Sequence, residues 1–359
     1  MKIVQIIPKF ALAGAERMAE ALILELKRQG CQVIAVSMYD YHSVITDNLE
    51  ANGVKVRYLE KKRGPDPSMI TKLVRLFRQE KPDVVHTHLY ICGYVIPAAL
   101  IAKVKACVHT VHNVAEKERQ PKKLQRFFYH RCGVTPVGLS PLVKESIERL
   151  YRLPGERVPM VYNGIDTSKV VQKESYQTGD TFSFLHVGRF APQKNHANII
   201  KAFDQLHRKY PRTSLTMIGS GELYDEVQEQ INKLGLQDAV HLPGLMDNMM
   251  EQYPLYDAFV LPSIYEGMPI TLIEAMATGL PIAASAVGGV PDMLSHEVNG
   301  LLCSPQVESI AEVMERLYLE ETLREKLGRQ ALEDSARFTS KHMAQAYLDI
   351  YTKACAAVK

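Results

Sequence analysis

The chain has 359 residues, 46% hydrophobic and 23% charged, a composition that excludes a disordered chain and gives length for two ordinary cores. Six scattered cysteines (31, 92, 107, 132, 303 and 355) with no C-x-x-C pair exclude a disulfide framework or zinc knuckle and fit a reducing cytosol. The net charge of +3 hides an asymmetry: residues 1–162 hold 26 Lys+Arg against 15 Asp+Glu, a net of +11, while 163–359 hold 17 against 25, a net of −8. A basic half joined to an acidic half is expected to meet different partners, the basic one facing nucleic acid, an anionic lipid or a phosphorylated substrate.

Met1-Lys-Ile-Val-Gln-Ile-Ile-Pro8 carries too short an apolar run for a signal peptide and reads as a first strand, Ile3–Ile7. Ala11-Leu-Ala-Gly14-Ala15 then leads into a helix over Glu16–Gln29. This is not the G-x-G-x-x-G dinucleotide fingerprint, yet a glycine at a helix start offers free backbone N–H groups to an anion. Further strands follow at Gln32–Ser37, Val54–Tyr58, Val84–His86, Ala106–Val111 and Val134–Leu139, with a helix over Met69–Glu80. Leu89 to Ala102 is apolar but contains Pro97 and is too short to span a bilayer, so it reads as a buried helix. His86 and His88 suit either a metal pair or packed strand-end groups. His112, in Thr110-Val-His-Asn113, stands at a strand end where a histidine can hydrogen-bond a sugar or position an acceptor.

Asp166–Asp180 is polar and lacks apolar periodicity, which marks a domain boundary. The strand–helix alternation then restarts, with strands at Phe182–Val187, Ser214–Ile218, Ala239–Leu242, Asp257–Leu261 and Pro281–Ala284. Helices are expected over Ala197–Lys209, Leu223–Leu234, Pro269–Ala277, Ser309–Leu317 and Ser340–Ala357. Such alternation implies an α/β protein of two doubly wound parallel sheets. Ligands bind at the carboxyl ends of such strands, so the expected site is the cleft between the domains.

Three constellations in the second half carry chemistry. Gly188-Arg189 and Lys194-Asn195 follow its first strand, and Arg with Lys suits a diphosphate and the charge on a departing nucleoside diphosphate. Gly219-Ser-Gly221-Glu222 follows the next strand, where glycines permit close approach of a base or phosphate, or simply a tight turn. Glu266 and Glu274 bracket a helix start at Met268-Pro269-Ile270. Carboxylates accept hydroxyl hydrogen bonds and a helix N-terminus attracts phosphate, so this set suits a ligand with both, such as a nucleotide sugar. No D-x-D occurs in the chain, so cationic side chains and helix dipoles are expected to do the work of a metal ion.

The ordered set of Ala13-Gly14-Ala-Glu-Arg, Val-His112-Asn, Tyr-Asn163-Gly-Ile-Asp166, Gly188-Arg189 with Lys194-Asn195, Gly219-Ser-Gly-Glu222 and Glu266 to Glu274 resembles a family. It is that of the retaining GT-B glycosyltransferases with the E-x7-E signature, the family 4-like, group 1 glycosyl transferases. The resemblance spans nearly the whole chain. One departure is Ala13, where relatives often carry a second glycine.

The resemblance implies two Rossmann-like domains. Residues 1–165 would bind the acceptor, with a C-terminal helix at 340–359 crossing back to them, and 166–339 would bind the nucleotide sugar. It implies that Arg189, Lys194, Gly14 and the Met268, Pro269 and Ile270 backbone bind the donor diphosphate, that Glu274 binds the ribose, and that Gly219 and Gly221 form a nucleotide-binding loop. Glu266 and His112 would be catalytic, with no cofactor and no metal. The expected reaction moves a hexosyl or N-acetylhexosaminyl group from a UDP-sugar to an acceptor hydroxyl with retention.

The acceptor is less legible. Lys61-Lys-Arg63 and the basic, aromatic Glu116–Arg131 suggest a lipid-linked saccharide handled at an anionic membrane face, as in surface polysaccharide synthesis. Localisation is expected to be cytoplasmic, at the inner face of the cell membrane, with no nucleic-acid partner. A nucleotide-sugar epimerase or hydrolase, and a non-catalytic nucleotide-sugar-binding subunit, remain the rival readings. An oxidoreductase is disfavoured because neither domain opens on the full glycine fingerprint.

Overall fold

A computed structural model describes residues 1–246 and 249–357. The chain divides into two compact units, residues 1–165 with 338–359, and residues 166–337. Residues 358 and 359 of the C-terminal segment lie outside the described residues.

The first unit alternates strands and helices in the order β1 (Lys2–Ile7), α1 (Gly14–Arg28), β2 (Gln32–Ser37), α2 (Val44–Ala51), β3 (Lys55–Tyr58), α3 (Ser68–Glu80), β4 (Val84–His88), α4 (Cys92–Ala102), β5 (Ala106–Val111), α5 (Lys122–Arg131), β6 (Val134–Gly138) and α6 (Pro141–Tyr151). The six strands are parallel and ordered β3-β2-β1-β4-β5-β6, with β1 paired to β4 through Ile3 opposite Val84. The order reverses beside β1, and the carboxyl ends of strands at such a switch point are where α/β sheets bind ligands. Both faces are covered, so β4 and β5 are buried along their whole length, as the inner strands of a parallel sheet should be, although they carry His86, Thr87, His88, His109 and Thr110. α4 is apolar on most sides and so shows no amphipathic stripe, but it is not the wholly buried helix expected: Cys92, Val95, Ile96, Ala98 and Ala99 are buried while Leu100 and Ile101 are exposed.

The second unit carries β7 (Phe182–Val187), α7 (His196–Lys209), β8 (Thr213–Ile218), α8 (Tyr224–Leu234), β9 (Val240–Gly244), α9 (Met249–Gln252), β10 (Ala258–Leu261), α10 (Ile270–Ala277), β11 (Ile282–Ser285), β12 (Leu301–Cys303), α11 (Val307–Leu319) and α12 (Glu321–Asp334). Its parallel order is β12-β11-β10-β7-β8-β9, the same switch-point arrangement around β7. Phe184, Phe190, Phe203, Met217 and Val260 fill the core between this sheet and its helices. The sheet extends further than the sequence reading expected, because β12 is only three residues long and lies between Gly300 and Ser304. Such a run is too short for any periodicity to register.

α13 (Ser340–Ala356) belongs to the first unit and packs on α1 and β5. Thr339 caps it by accepting from the His342 N–H. The entering chain is pinned by backbone bonds from Ile165 N–H to Phe338 O at 3.0 Å and from Ser340 N–H to Ile165 O at 2.7 Å. Gly164 is required there, since a Cβ would stand 2.3 Å from the Thr339 carbonyl oxygen. Helix α13 thereby brings Tyr347 and Tyr351, both fully buried, against the ends of β1, β4 and β5.

Candidate functional site

In the second unit, two loops at the carboxyl ends of adjacent strands interlock. After β10 the chain runs through Ser263 and Glu266 to α10, and after β7 it runs through Arg189 and Lys194 to α7. Ile264 N–H donates to Gln193 O at 2.8 Å, and the Gln193 side-chain amide donates to Tyr265 O at 2.9 Å. Asn195 adopts a left-handed conformation (φ 62°), which asparagine tolerates, and its amide donates to Pro262 O at 2.9 Å and Pro305 O at 2.8 Å.

This interlock brings Lys194 and Glu266 together. The Glu266 carboxylate is 5% exposed, and its Oε1 accepts from Lys194 Nζ at 2.7 Å and from Ser263 Oγ at 2.6 Å. Gln193 Nε2 approaches its Oε2 at 3.3 Å. A buried carboxylate is sustained only by such charge-assisted donors. The Glu266 backbone is fixed as well. Gly288 lies against it at φ +59°, where a Cβ would stand 1.7 Å from the Glu266 carbonyl oxygen, and Gly289 N–H donates to Gly267 O at 3.0 Å.

Glu274 stands on the second turn of α10, where Tyr253 donates its hydroxyl to Oε2 at 2.8 Å. Tyr253 is fully buried, and burial with the neighbouring carboxylate pushes its phenol well above the ordinary range, so it acts only as a neutral donor. Pro269 is the N-cap of α10 in extended conformation (φ −72°, ψ 121°), one position earlier than the first-turn place its chemistry suggested. Among the described residues no side chain caps this helix, and Leu272 N–H already bonds Pro269 O at 3.2 Å, so the N–H groups of Ile270 and Thr271 are the ones left for an anion.

Arg189 is exposed and pairs with Glu222 at 3.1 Å. Gly219 and Gly221 have a packing reason of their own. A Cβ on Gly219 would meet Gly188 O at 2.0 Å, and one on Gly221 would meet Phe190 O at 2.3 Å. The two glycines let the 188–190 loop lie directly on the 218–221 turn, with Phe190 N–H donating to Ser220 O at 2.9 Å. Beneath that loop His186 donates from Nδ1 to Val260 O at 2.9 Å, while Phe190 stacks on His196 with centroids 4.2 Å apart. Burial holds both imidazoles neutral, His196 down to about 4.

Gly14 and His112 lie in the first unit. Gly14 is exposed at the first position of α1, whose N-cap Ala13 offers no side-chain acceptor. His112 follows β5, and its Nε2 lies 3.0 Å from His88 Nδ1. Burial, with His109 as a lesser influence, pushes its pKa down to about 3, so it is neutral at physiological pH. In the loop beyond, Val114 N–H donates to Asn113 Oδ1 at 2.8 Å and Ala115 N–H to Ser146 Oγ at 2.9 Å. His86 and His88 are packed strand residues with hydrogen-bond partners on both ring nitrogens. No group of three or more His, Cys, Asp or Glu among the described residues is arranged to hold a metal ion.

Sequence reasoning missed Ser263, Gln193, Tyr253 and Gly288. Ser263 lies three residues before Glu266 and could have been found as a local partner. Tyr253 stands 21 residues from the Glu274 carboxylate it bonds and Gly288 stands 22 residues from the Glu266 backbone it lies against, with no signal in the local pattern.

Two family models match the chain: that of the glycosyltransferase family 4 over residues 12–169, and that of the glycosyl transferases group 1 over residues 169–334. An uncharacterised glycosyltransferase of Methanocaldococcus jannaschii is 30% identical over 251 residues, 64% of this chain and 62% of that protein. The Escherichia coli UDP-Gal:alpha-D-GlcNAc-diphosphoundecaprenol alpha-1,3-galactosyltransferase is 29% identical over 259 residues, 66% of each. These alignments therefore span a little under two thirds of the relatives' own lengths. Among solved structures, Anabaena HepE in complex with UDP and glucose superposes with a TM-score of 0.85 over 98% of this chain and 99% of that one, at 18% identity. At that identity the likeness establishes the fold.

Proposed function

We infer the reaction from this premise: the chain belongs to the family 4-like glycosyltransferases of GT-B fold. It transfers a hexosyl or N-acetylhexosaminyl group from a UDP-sugar to an acceptor hydroxyl, with retention at the anomeric carbon. The observation that carries this reading is the buried Lys194–Glu266–Ser263 cluster beside the uncapped start of α10.

On this reading the donor diphosphate lies against the α10 N-terminus and Lys194, with Arg189 turning from Glu222 to join it. These positive groups stabilise the charge that builds on the departing UDP, in place of a metal ion. Lys194 is already oriented by Glu266, so little ordering remains when the diphosphate arrives. Glu266 accepts hydroxyls of the transferred sugar, and Glu274, held by Tyr253, accepts those of the ribose. His112 positions the sugar or the acceptor. The departing phosphate takes the acceptor proton on the same face from which it leaves, which gives retention without a covalent enzyme intermediate.

The acceptor we propose is a lipid-linked saccharide at an anionic membrane. The E. coli relative's name includes a diphosphoundecaprenol, and α5 exposes Lys123, Arg126 and Arg131 beside Leu124 and Phe127, while Phe128 and Tyr129 pack inward. No helix among the described residues is long and apolar enough to cross a membrane, so the contact would be peripheral. The protein should co-sediment with anionic vesicles at low salt and release at high salt; no binding at low salt removes this part.

Transfer itself is tested by supplying UDP-sugars with a diphospholipid-linked N-acetylhexosamine and reading UDP release and the anomeric configuration of the product by NMR. An axial donor linkage retained in the product supports the reading. Turnover of the UDP-sugar at the same rate without acceptor would replace it with an epimerase or hydrolase.

A further inference from the structure

A buried polar chain joins His112 to the C-terminal helix. His112 Nε2 meets His88 Nδ1 at 3.0 Å, and His88 Nε2 meets Gln5 Oε1 at 2.8 Å. Gln5 Nε2 donates to the Tyr351 hydroxyl at 3.0 Å. That hydroxyl lies 2.7 Å from His86 Nδ1, His86 Nε2 lies 2.7 Å from Thr110 Oγ1, and Thr110 Oγ1 lies 2.7 Å from the Tyr347 hydroxyl. Gln5, His86, His88, Thr110, Tyr347 and Tyr351 are all at most 1% exposed, so water does not compete for these groups.

The chain has one polarity, and a single amide sets it. Gln5 Nε2 can only donate, so the Tyr351 hydroxyl accepts there and spends its own proton on His86 Nδ1. Gln5 Oε1 can only accept, so His88 carries its proton on Nε2 and leaves Nδ1 bare. A bare His88 Nδ1 accepts from His112, which therefore carries its proton on Nε2. The remaining His112 nitrogen, Nδ1, is then a lone-pair acceptor. Turning the Gln5 amide over reverses every bond and puts the His112 proton on Nδ1 instead. What a neutral histidine can do at a site depends on which nitrogen holds the proton, and that is set by the bond its other nitrogen makes.

We propose that Gln5 and Tyr351 are positioning residues that fix His112 as its Nε2–H tautomer, so that Nδ1 accepts a hydrogen bond from a substrate hydroxyl. The role of that acceptor rests on the glycosyl-transfer reading; the tautomer itself does not. Helix α13, far away in sequence, thus sets the chemistry of a residue on β5's end. A donor hydroxyl of the transferred sugar or of a saccharide acceptor is the ligand this nitrogen fits, and a group that can only accept, such as a phosphate oxygen, is repelled by it.

The test uses the full-length protein with 15N-labelled histidine, Tyr351→Phe and Gln5→Met variants, and long-range 1H–15N correlation spectra, with a His112→Asn variant to assign the resonance. Wild-type His112 is expected in the Nε2–H pattern. Tyr351→Phe removes one hydroxyl from a ring that stays packed, frees the Gln5 amide to turn, and should give a mixture of tautomers at His112. In parallel, kcat should fall in proportion to the active tautomer lost, about twofold for an even mixture, with the KM for the nucleotide sugar unchanged. An Nδ1–H pattern in the wild type overturns the inference, as does an unmixed His112 in both variants. A mixed tautomer with unchanged kcat also overturns it, because the tautomer then positions nothing. The spectra need no substrate, so a wild type with the expected tautomer and no transfer would instead count against the functional reading alone.

Discussion

Replacing Lys194 by methionine leaves Glu266 buried without its cation. The pair is well inside the protein, with side chains 14% and 5% exposed and a 2.7 Å bond. Removing one partner of a buried pair costs about 3–5 kcal/mol. Ser263 and Gln193 still donate to the carboxylate, which lowers the expected loss to about 2–3 kcal/mol. For a unit of this size that is a fall of about 5–10 °C in its melting temperature. Glu266→Gln leaves the ammonium unpaired but nearer to water and should cost less, about 1–2 kcal/mol. The double variant Lys194→Met with Glu266→Gln leaves no buried charge and should be more stable than the sum of the single losses predicts. The assay is urea unfolding of all four proteins as a double-mutant cycle. A coupling of about 1.5 kcal/mol or more is expected, and additivity within about 0.5 kcal/mol would refute the reasoning.

Gly288→Ala forces a Cβ to within 1.7 Å of the Glu266 carbonyl and a left-handed conformation on alanine, so turnover of the nucleotide sugar should fall at least about a hundredfold. Steady-state rates within threefold of wild type would show that the Glu266 loop tolerates displacement. Tyr253→Phe removes the hydroxyl on Glu274 and should weaken UDP binding about three- to tenfold by titration calorimetry without changing the unfolding free energy by more than about 1.5 kcal/mol. Stability should also fall in mild acid. Burial holds His86 and His88 well below 6.5, His109 at about 4 and His112 at about 3, so below pH 6.5 the unfolded chain binds protons that the native unit refuses. Stability is therefore full above pH 6.5 and drops as pH falls from 6.5 towards those lower values, by about 1.4 kcal/mol per pH unit for each such histidine. Urea midpoints of the first unit at pH 7.5, 6.5 and 5.5 check this, and a flat profile contradicts it.

Both sheets were readable because parallel strands buried on two faces leave apolar runs that restart after the polar 166–180 stretch. What escaped the sequence was whatever depends on contacts far along the chain. β12 is visible only as a partner of β11, and Gly288 matters only because the Glu266 backbone passes over it. The two glutamates and two cations could be picked out as chemistry, since few residue types suit a diphosphate and a sugar. That Lys194 and Glu266 bond each other required the interlock of two loops, which no spacing encodes. Gly219 and Gly221 show the opposite case: the glycines were visible, and their backbone neighbours, Gly188 and Phe190, were not. His86 and His88 carried an open choice between metal and packing, and only the return of α13 supplies the tyrosine that partners His86.

The most direct test of the donor site is a melting curve with UDP in EDTA, for the wild type and for Arg189→Ala and Lys194→Ala. UDP at about a hundred times its dissociation constant should stabilise the wild type by about 2.7 kcal/mol, a rise of several degrees, without added metal. Both variants should lose most of that rise. A wild type unmoved by millimolar UDP, GDP or ADP, or variants that keep the full shift, would contradict a nucleotide-sugar site built on these cations.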